Sequence, residues 1–196
     1  MNLSQPIRLA VIIGSVREGR FGPTVAHWFA QQVRQHEGFE IDLIDLADFP
    51  LPAELSKQPD PATAEVLACT VPRLAAADAF VIVTPEYNRA YPASVKSLLD
   101  WHYEPWRAKP VGFVSYGGMT GGLLAVNQLR QVLPELHALT VRDTVSFHNV
   151  WQHFGADGTL REPDGANGAA KVMLDQLGWW AGALRTAKEQ IPYATA

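Results

Sequence analysis

A single cysteine, Cys69, stands in a chain of 196 residues. That excludes an intramolecular disulfide and any multi-cysteine zinc or iron–sulfur site, and it fits a reducing compartment. Basic residues are not in excess either: sixteen Lys and Arg against twenty Asp and Glu leave a net charge of −4. Such a balance offers no electrostatic footprint for a phosphodiester backbone or an anionic membrane, so nucleic acid and membranes are set aside as partners. No apolar run approaches the roughly 20 residues that cross a bilayer. The opening MNLSQPIRLAVIIGS has no basic leader before its short apolar stretch, which reads as a strand and not as a secretion signal. The expected location is the cytoplasm. What the chain does have is 47% hydrophobic residues, enough for the core of one domain spanning 1–196.

Apolar runs alternate with helix-period segments. IRLAVIIG (7–14) and AFVIVT (79–84) are short, β-branched and bounded by Gly or Pro, as expected of strands covered on both faces. FEIDLIDL (39–46) alternates apolar and polar, like a strand near an edge. KPVGFVSYGG (109–118) and TVRDTVSFHN (140–149) read as the fourth and fifth strands. Between them, Val25, Trp28, Phe29 and Val33 recur at helical spacing behind Pro23. Further helices are expected over 62–77, 92–103, 122–138 and 169–190, with Pro72 kinking or splitting the second one. Four prolines make 48–61 a loop, and 155–168 reads as another. Strand then helix, five times over, predicts an α/β fold: a three-layer, doubly wound sheet of five parallel strands. The flavodoxin-like order 2-1-3-4-5 is expected, with ligands beyond the carboxyl ends of strands one and three.

Chemistry is therefore sought at the strand ends. GSVREGRFGPT (14–24) combines turn-forming glycines, hydroxyls at Ser15 and Thr24 and guanidinium groups at Arg17 and Arg20, immediately before a helix. A helix start with its free N–H groups attracts an anion. The stretch lacks both the G-x-x-x-x-G-K-[ST] loop and the G-x-G-x-x-G fingerprint, so a monophosphate is a better match than a triphosphate or dinucleotide; an ordinary glycine turn is the plain alternative. After the third strand, Pro85, Glu86, Tyr87 and Asn88 offer an aromatic plate and polar edges for a flat heterocycle. Read blandly, Tyr87 is a core lid and Asn88 a turn former. Ser115, Tyr116, Gly117 and Gly118 add another aromatic and closely approachable backbone. Three loops converging on one crevice describe a mononucleotide site.

Gly14-Ser15-x-Arg17, Thr84-Pro85-Glu86-Tyr87-Asn88 and Pro92-x-x-x-Lys96 leading to Asp100-Trp101 resemble the NADPH-dependent FMN reductase family, which includes quinone, azo-dye and chromate reductases. The likeness runs from about residue 7 to 190. It implies FMN bound noncovalently, with its phosphate on Ser15, Arg17, Gly22, Pro23 and Thr24 and with Phe21 among the contacts. The ring system would lie between Pro85, Glu86, Tyr87 and Asn88 on one side and Ser115, Tyr116, Gly117 and Gly118 on the other. It further implies NAD(P)H as co-substrate, a small-molecule electron acceptor, ping-pong hydride transfer on a flavin that needs no catalytic side chain, and a homodimer or homotetramer. Trp101, Tyr103 and Trp106 are candidate interface or pocket-wall aromatics, although such a residue taken alone is more often core than contact. The sequence departs from the family at Arg20, where serine is common, and at Gly22 and Ser97, where asparagine is. Arg20 is left with three roles: the flavin phosphate, the ribose phosphate of NADPH, or solvent.

Other chemistries find less support. Phe113 stands where G-x-S-x-G needs glycine before Ser115, and the six histidines include no H-E-x-x-H, so no metal site is expected. His148 and His153 read as surface groups, Cys69 as a small buried hydrophobe, and the pairs Asp45/Asp48 and Asp157/Glu162 as solvated loop charges. The rival function is a flavodoxin-like FMN electron carrier without pyridine-nucleotide chemistry. A modest net charge and two arginines in the phosphate loop favour the reductase.

Overall fold

The computed structural model describes residues 5–193. Five strands, β1 (Ile7–Ile13), β2 (Phe39–Asp45), β3 (Ala79–Pro85), β4 (Pro110–Tyr116) and β5 (Leu139–Phe147), alternate with α1 (Gly22–Gln35), α2 (Pro61–Ala76), α3 (Ala93–Trp101), α4 (Leu123–Val132) and α5 (Pro163–Gln190). All neighbours pair in parallel, in the order β2-β1-β3-β4-β5. This is the expected flavodoxin-like topology. Every residue of β3 and β4 is buried, whereas only Ile44 of β2 is, which marks β2 as the edge strand that its alternating sequence predicts.

Period-two alternation sends successive side chains into two cores. Val11, Ile13, Val81 and Val83 meet α1 and α5 on one face, while Ala10, Ile12, Phe80 and Ile82 meet α2, α3 and α4 on the other. Trp106 belongs to this second core, fully buried with its ring centroid 4.4 Å from that of Phe80, and so is neither an interface nor a pocket residue. Tyr103 is exposed, and Trp101 donates its indole N–H to the Pro52 carbonyl at 2.8 Å.

Helix ends depart most from the sequence reading. Pro72 does not split α2, because residues on both sides of it are anchored: Thr70 meets His102 at 2.7 Å, and Arg73 grips Asp42 of the edge strand at 2.5 and 2.9 Å. Cys69, on the outer side of α2, is exposed and not a core residue. Pro134 ends α4 ten residues in, leaving a 3-10 turn over Leu133–Leu136. By contrast α5 starts at Pro163, ahead of expectation. Asn167 in its first turns accepts a bond from the Trp28 indole, and this anchoring outweighs the helix cost of Gly165 and Gly168.

Beneath the amino ends of the strands, Lys109 is 8% exposed and donates to the carbonyls of Leu74 and Ala75 at 3.0 and 2.9 Å, in the last turn of α2, where backbone acceptors lack helical partners. Burial pushes its pKa down from 10.5 to about 8, with Lys188 pressing the same way and Asp78 opposing. The folded protein thus loses this proton before the unfolded chain does, so the contribution of Lys109 to stability rises with pH between about 8 and 10.5 and is flat below that window. Urea unfolding should show the wild-type protein gaining up to about 1.4 kcal/mol per pH unit across this window relative to Lys109→Met; equal slopes for the two proteins would refute it.

Candidate functional site

The loop from Gly14 to Phe21 leaves β1 at its carboxyl end and is tied down on every side. Gly14 donates its N–H to the Val83 carbonyl at 2.9 Å and accepts the Ser94 hydroxyl at 2.5 Å, which joins it to β3 and α3. Ser15 is fully buried, its hydroxyl receiving a bond from the Tyr116 phenol at 3.0 Å. Arg20 turns inward, donating to the Ser15 carbonyl at 2.8 Å and to both oxygens of Asp45 at 2.5 and 2.7 Å. Asp45 is therefore not a solvated loop charge: it ends the edge strand in a bidentate ion pair, both side chains being about one-fifth exposed. Of the roles open to Arg20, the structure shows this fourth one, a brace. Asp157 behaves as expected, exposed and accepting the Thr159 N–H at 3.0 Å.

With Arg20 engaged, Arg17 is the loop's guanidinium that pairs with no carboxylate among the described residues. It lies over the Tyr87 ring, 5.8 Å from the centroid, and so brings the first loop against the turn after β3. The helix behind it starts bare. Phe21 occupies the N-cap, where no side chain accepts from the first turn, and Pro23 follows. Gly22 is needed here: a β-carbon would sit 2.3 Å from the Ser15 hydroxyl and 2.9 Å from the Tyr116 hydroxyl.

The turn after β3 is a tight hairpin, Tyr87 and Ala90 exchanging both backbone bonds at 2.8 and 3.0 Å. Asn88 and Arg89 have φ of 51° and 71°, the type I′ signature, so Asn88 is the turn former its residue type allows. Arg89 is a strained choice, held where Gln128 of α4 donates to its carbonyl at 2.9 Å. Tyr87 is half-buried, and burial raises its phenol above the ordinary range against the opposing charges of Arg17 and Arg20. Glu86 does not face a ligand with its carboxylate, which instead accepts the Leu124 N–H at 3.1 Å and caps α4.

Beyond β4 the two side chains part. Ser115 is fully buried and donates to the Gly121 carbonyl at 2.8 Å, and Tyr116 points to the opposite face, beneath the first loop. Gly117 and Gly118 are half-buried and present backbone. They are knit to the segment after β5: Asn149 and Val150 donate to the carbonyls of Gly118 and Gly117 at 2.9 and 3.1 Å. His148 must carry its proton on Nδ1, donating to the Met119 carbonyl at 2.8 Å, and His153 on Nε2, donating to the His148 carbonyl at 2.9 Å. This fourth loop was not read as part of the site from sequence. Trp151 on it is 58% exposed, with its ring edge 3.8 Å from where a Gly118 β-carbon would lie, and Met119 beside it is 90% exposed.

The structure thus gathers Ser15, Arg17, Phe21, Gly22, Pro23, Tyr87, Asn88, Gly117 and Gly118 at one edge of the sheet. Glu86, Ser115 and Tyr116 support that edge from beneath. Thr24, in the first turn of α1 beside Gly22 and Pro23, also lines a cleft of about 600 Å³ shared with the loop over 156–160. An uncapped helix start, a serine hydroxyl and a guanidinium without a carboxylate are donors throughout, so the first loop suits a phosphate. A tyrosine plate and a glycine wall suit a planar ring.

These features agree with what the chain resembles. The family model described as NADPH-dependent FMN reductase matches residues 7–152. An NAD(P)H-dependent FMN reductase of Schizosaccharomyces pombe is 38% identical over 154 residues, covering 70% of this chain and 76% of that one. A quinone reductase of Escherichia coli strain K12 is 33% identical over 147 residues, 71% and 76% of the two chains. In fold, the chain is similar to FerB, a flavoenzyme NAD(P)H:(acceptor) oxidoreductase from Paracoccus denitrificans, with a TM-score of 0.70 and 23% identity over 90% of this chain and 98% of that one. The match decides between reductase and electron carrier: with two arginines in its first loop and the PEYN turn opposite, the chain belongs to the NADPH-dependent FMN reductase family, the flavin-dependent oxidoreductases.

Proposed function

We propose that the crevice at the carboxyl ends of β1, β3 and β4 holds FMN and that the protein passes reducing equivalents from NAD(P)H to a flat small-molecule acceptor of the quinone type. The observation that carries this reading is the contact between Arg17 and Tyr87, which sets a free cation and an aromatic plate side by side at the mouth of a bare helix start. Ser15, Arg17 and the N–H groups opening α1 hold the phosphate; Pro85, Tyr87 and Asn88 face the ring on one side, and Gly117 and Gly118 approach it with backbone on the other.

FMN, when bound, supplies a ring that takes a hydride from the nicotinamide and yields its electrons to the acceptor. The chain's own part is positional. Its bonded loops fix the distance and tilt of whatever stacks in the crevice, and backbone donors beside the ring favour negative charge there. Trp151 and Met119 supply an exposed apolar rim. One opening serves donor and acceptor in turn, which gives ping-pong kinetics. Azo compounds, free flavin and metal oxyanions are further acceptors of the same reading. A homodimer or homotetramer in the cytoplasm completes it; among the described residues no helix is long and apolar enough to cross a membrane.

The purified protein should be yellow, and anaerobic NADPH or NADH should bleach its visible absorbance, which a quinone then restores. Bound flavin that neither nucleotide reduces would overturn the assignment. Arg17→Ala should weaken FMN about ten- to a hundredfold, the worth of one charge-assisted bond of roughly 1.5 to 3 kcal/mol, with the melting temperature of the flavin-free protein unchanged. An unaltered dissociation constant would remove Arg17 from the site.

A further inference from the structure

Tyr116 was expected beside the flavin ring, yet the fold sends it elsewhere. It ends β4 with its ring in the core shared by Ile13, Val25 and Phe147, 4% exposed, and its hydroxyl reaches past β3 to Ser15, 101 residues away in sequence. A buried phenol has one proton to give, and here it goes to Ser15 Oγ at 3.0 Å. Burial holds the phenol well above its ordinary pKa, so it remains a donor at physiological pH. Ser15 in turn is fixed at its backbone, where Arg20 donates to its carbonyl at 2.8 Å. Its hydroxyl, already accepting, has its own proton left to donate. Gly22, the first residue of α1, lies directly over the two hydroxyls, since its absent β-carbon would stand within 2.9 Å of both. The pair therefore packs against the first residue of the helix.

We infer that Tyr116 is a positioning residue of the phosphate seat: by donating to Ser15 Oγ it commits the Ser15 hydroxyl proton to the ligand's anion, so that the site discriminates flavins ending in phosphate from those ending in an alcohol. The inference rests on the flavin reading given above. It also accounts for Gly22, because any side chain there would displace the hydroxyl pair. The phenol ring fills the core whether or not it carries its oxygen, so Tyr116→Phe separates the hydrogen bond from the packing.

The experiment is a titration of flavin-free protein with FMN and with riboflavin, for the wild type, Tyr116→Phe, Ser15→Ala and the double variant. Tyr116→Phe is expected to weaken FMN about three- to tenfold, one neutral hydrogen bond's worth, while riboflavin moves less than twofold. In the Ser15→Ala background the same change should add nothing, because the relay has already been cut. Parallel losses for both ligands, no loss for either, or additive effects in the double variant would each overturn the inference. Should Tyr116→Phe not fold, Ser15→Ala decides alone, and an FMN-over-riboflavin preference equal to the wild type's refutes it. Wild-type protein that binds both flavins equally overturns the inference and leaves flavin binding standing, whereas one that binds neither overturns the functional reading itself.

Discussion

The bidentate pair between Arg20 and Asp45, with its third bond to the Ser15 carbonyl, is the constraint on which the rest of the site depends. The loop it braces runs through Gly14 and Gly19, residues that lose more freedom on folding than any others. Without cross-ties, such a loop would sample many shapes. Arg20 anchors it to the end of β2, Ser94 to the start of α3 and Tyr116 to β4, so the carboxyl ends of two strands and the amino end of one helix converge on Gly14 and Ser15. Asp45 gains as well. It finishes an edge strand that has little core contact of its own, and the pair draws that edge in toward the switch point. Both side chains are about one-fifth exposed, sheltered enough that the pairing outweighs what a surface bridge contributes.

Two of the helices that begin at this edge, α1 and α4, treat their first N–H groups differently. Neither α1 nor α4 has a side-chain cap at its own N-cap residue. For α4 the deficit is met from another loop, where the Glu86 carboxylate accepts from Leu124. Among the described residues nothing does this for α1. Leaving a cap unmade costs about 1 kcal/mol, and Arg89 at positive φ adds strain of similar size. Both departures from local preference lie around the crevice and not in the cores. Sites that bind are where a fold tolerates such departures, because the missing partner arrives with the ligand.

Most of the fold was legible because it is written in periods and punctuation. β3 and β4 appear as unbroken apolar runs, β2 as an alternating one, and the helix between each pair of strands implies parallel pairing, for which the flavodoxin-like order is a common arrangement. Where punctuation misled, tertiary contacts had outbid local preference, as with Pro72 between two anchored turns and with Gly165 and Gly168 at the start of α5. In the site, residue types and strand ends were legible but directions were not. Pattern placed Glu86, Ser115 and Tyr116 near the crevice, yet it could not say that a carboxylate would cap α4, a serine would hold Gly121, and a phenol would turn beneath the first loop. Arg20 with Asp45 spans 25 residues and Tyr116 with Ser15 spans 101, and no local rule encodes such partners. Cys69 was misplaced for a simpler reason: α2 buries a narrow stripe through Thr63, Thr70 and Leu74, and Cys69 falls beside it.

Alternation along β4 explains the shape of the wall. Ser115 and Tyr116 must point to opposite faces, and both faces are already occupied, by the start of α4 on one side and by the first loop on the other. Neither can present its side chain at the strand's end, so the surface there is left to Gly117 and Gly118, and closeness of backbone is what β4 contributes. Backbone alone gives a flat ligand little apolar contact. The segment after β5 adds some, because the bonds from Asn149 and Val150 bring Trp151 beside that same wall. That indole, 58% exposed beside Gly118, extends the glycine wall with apolar surface.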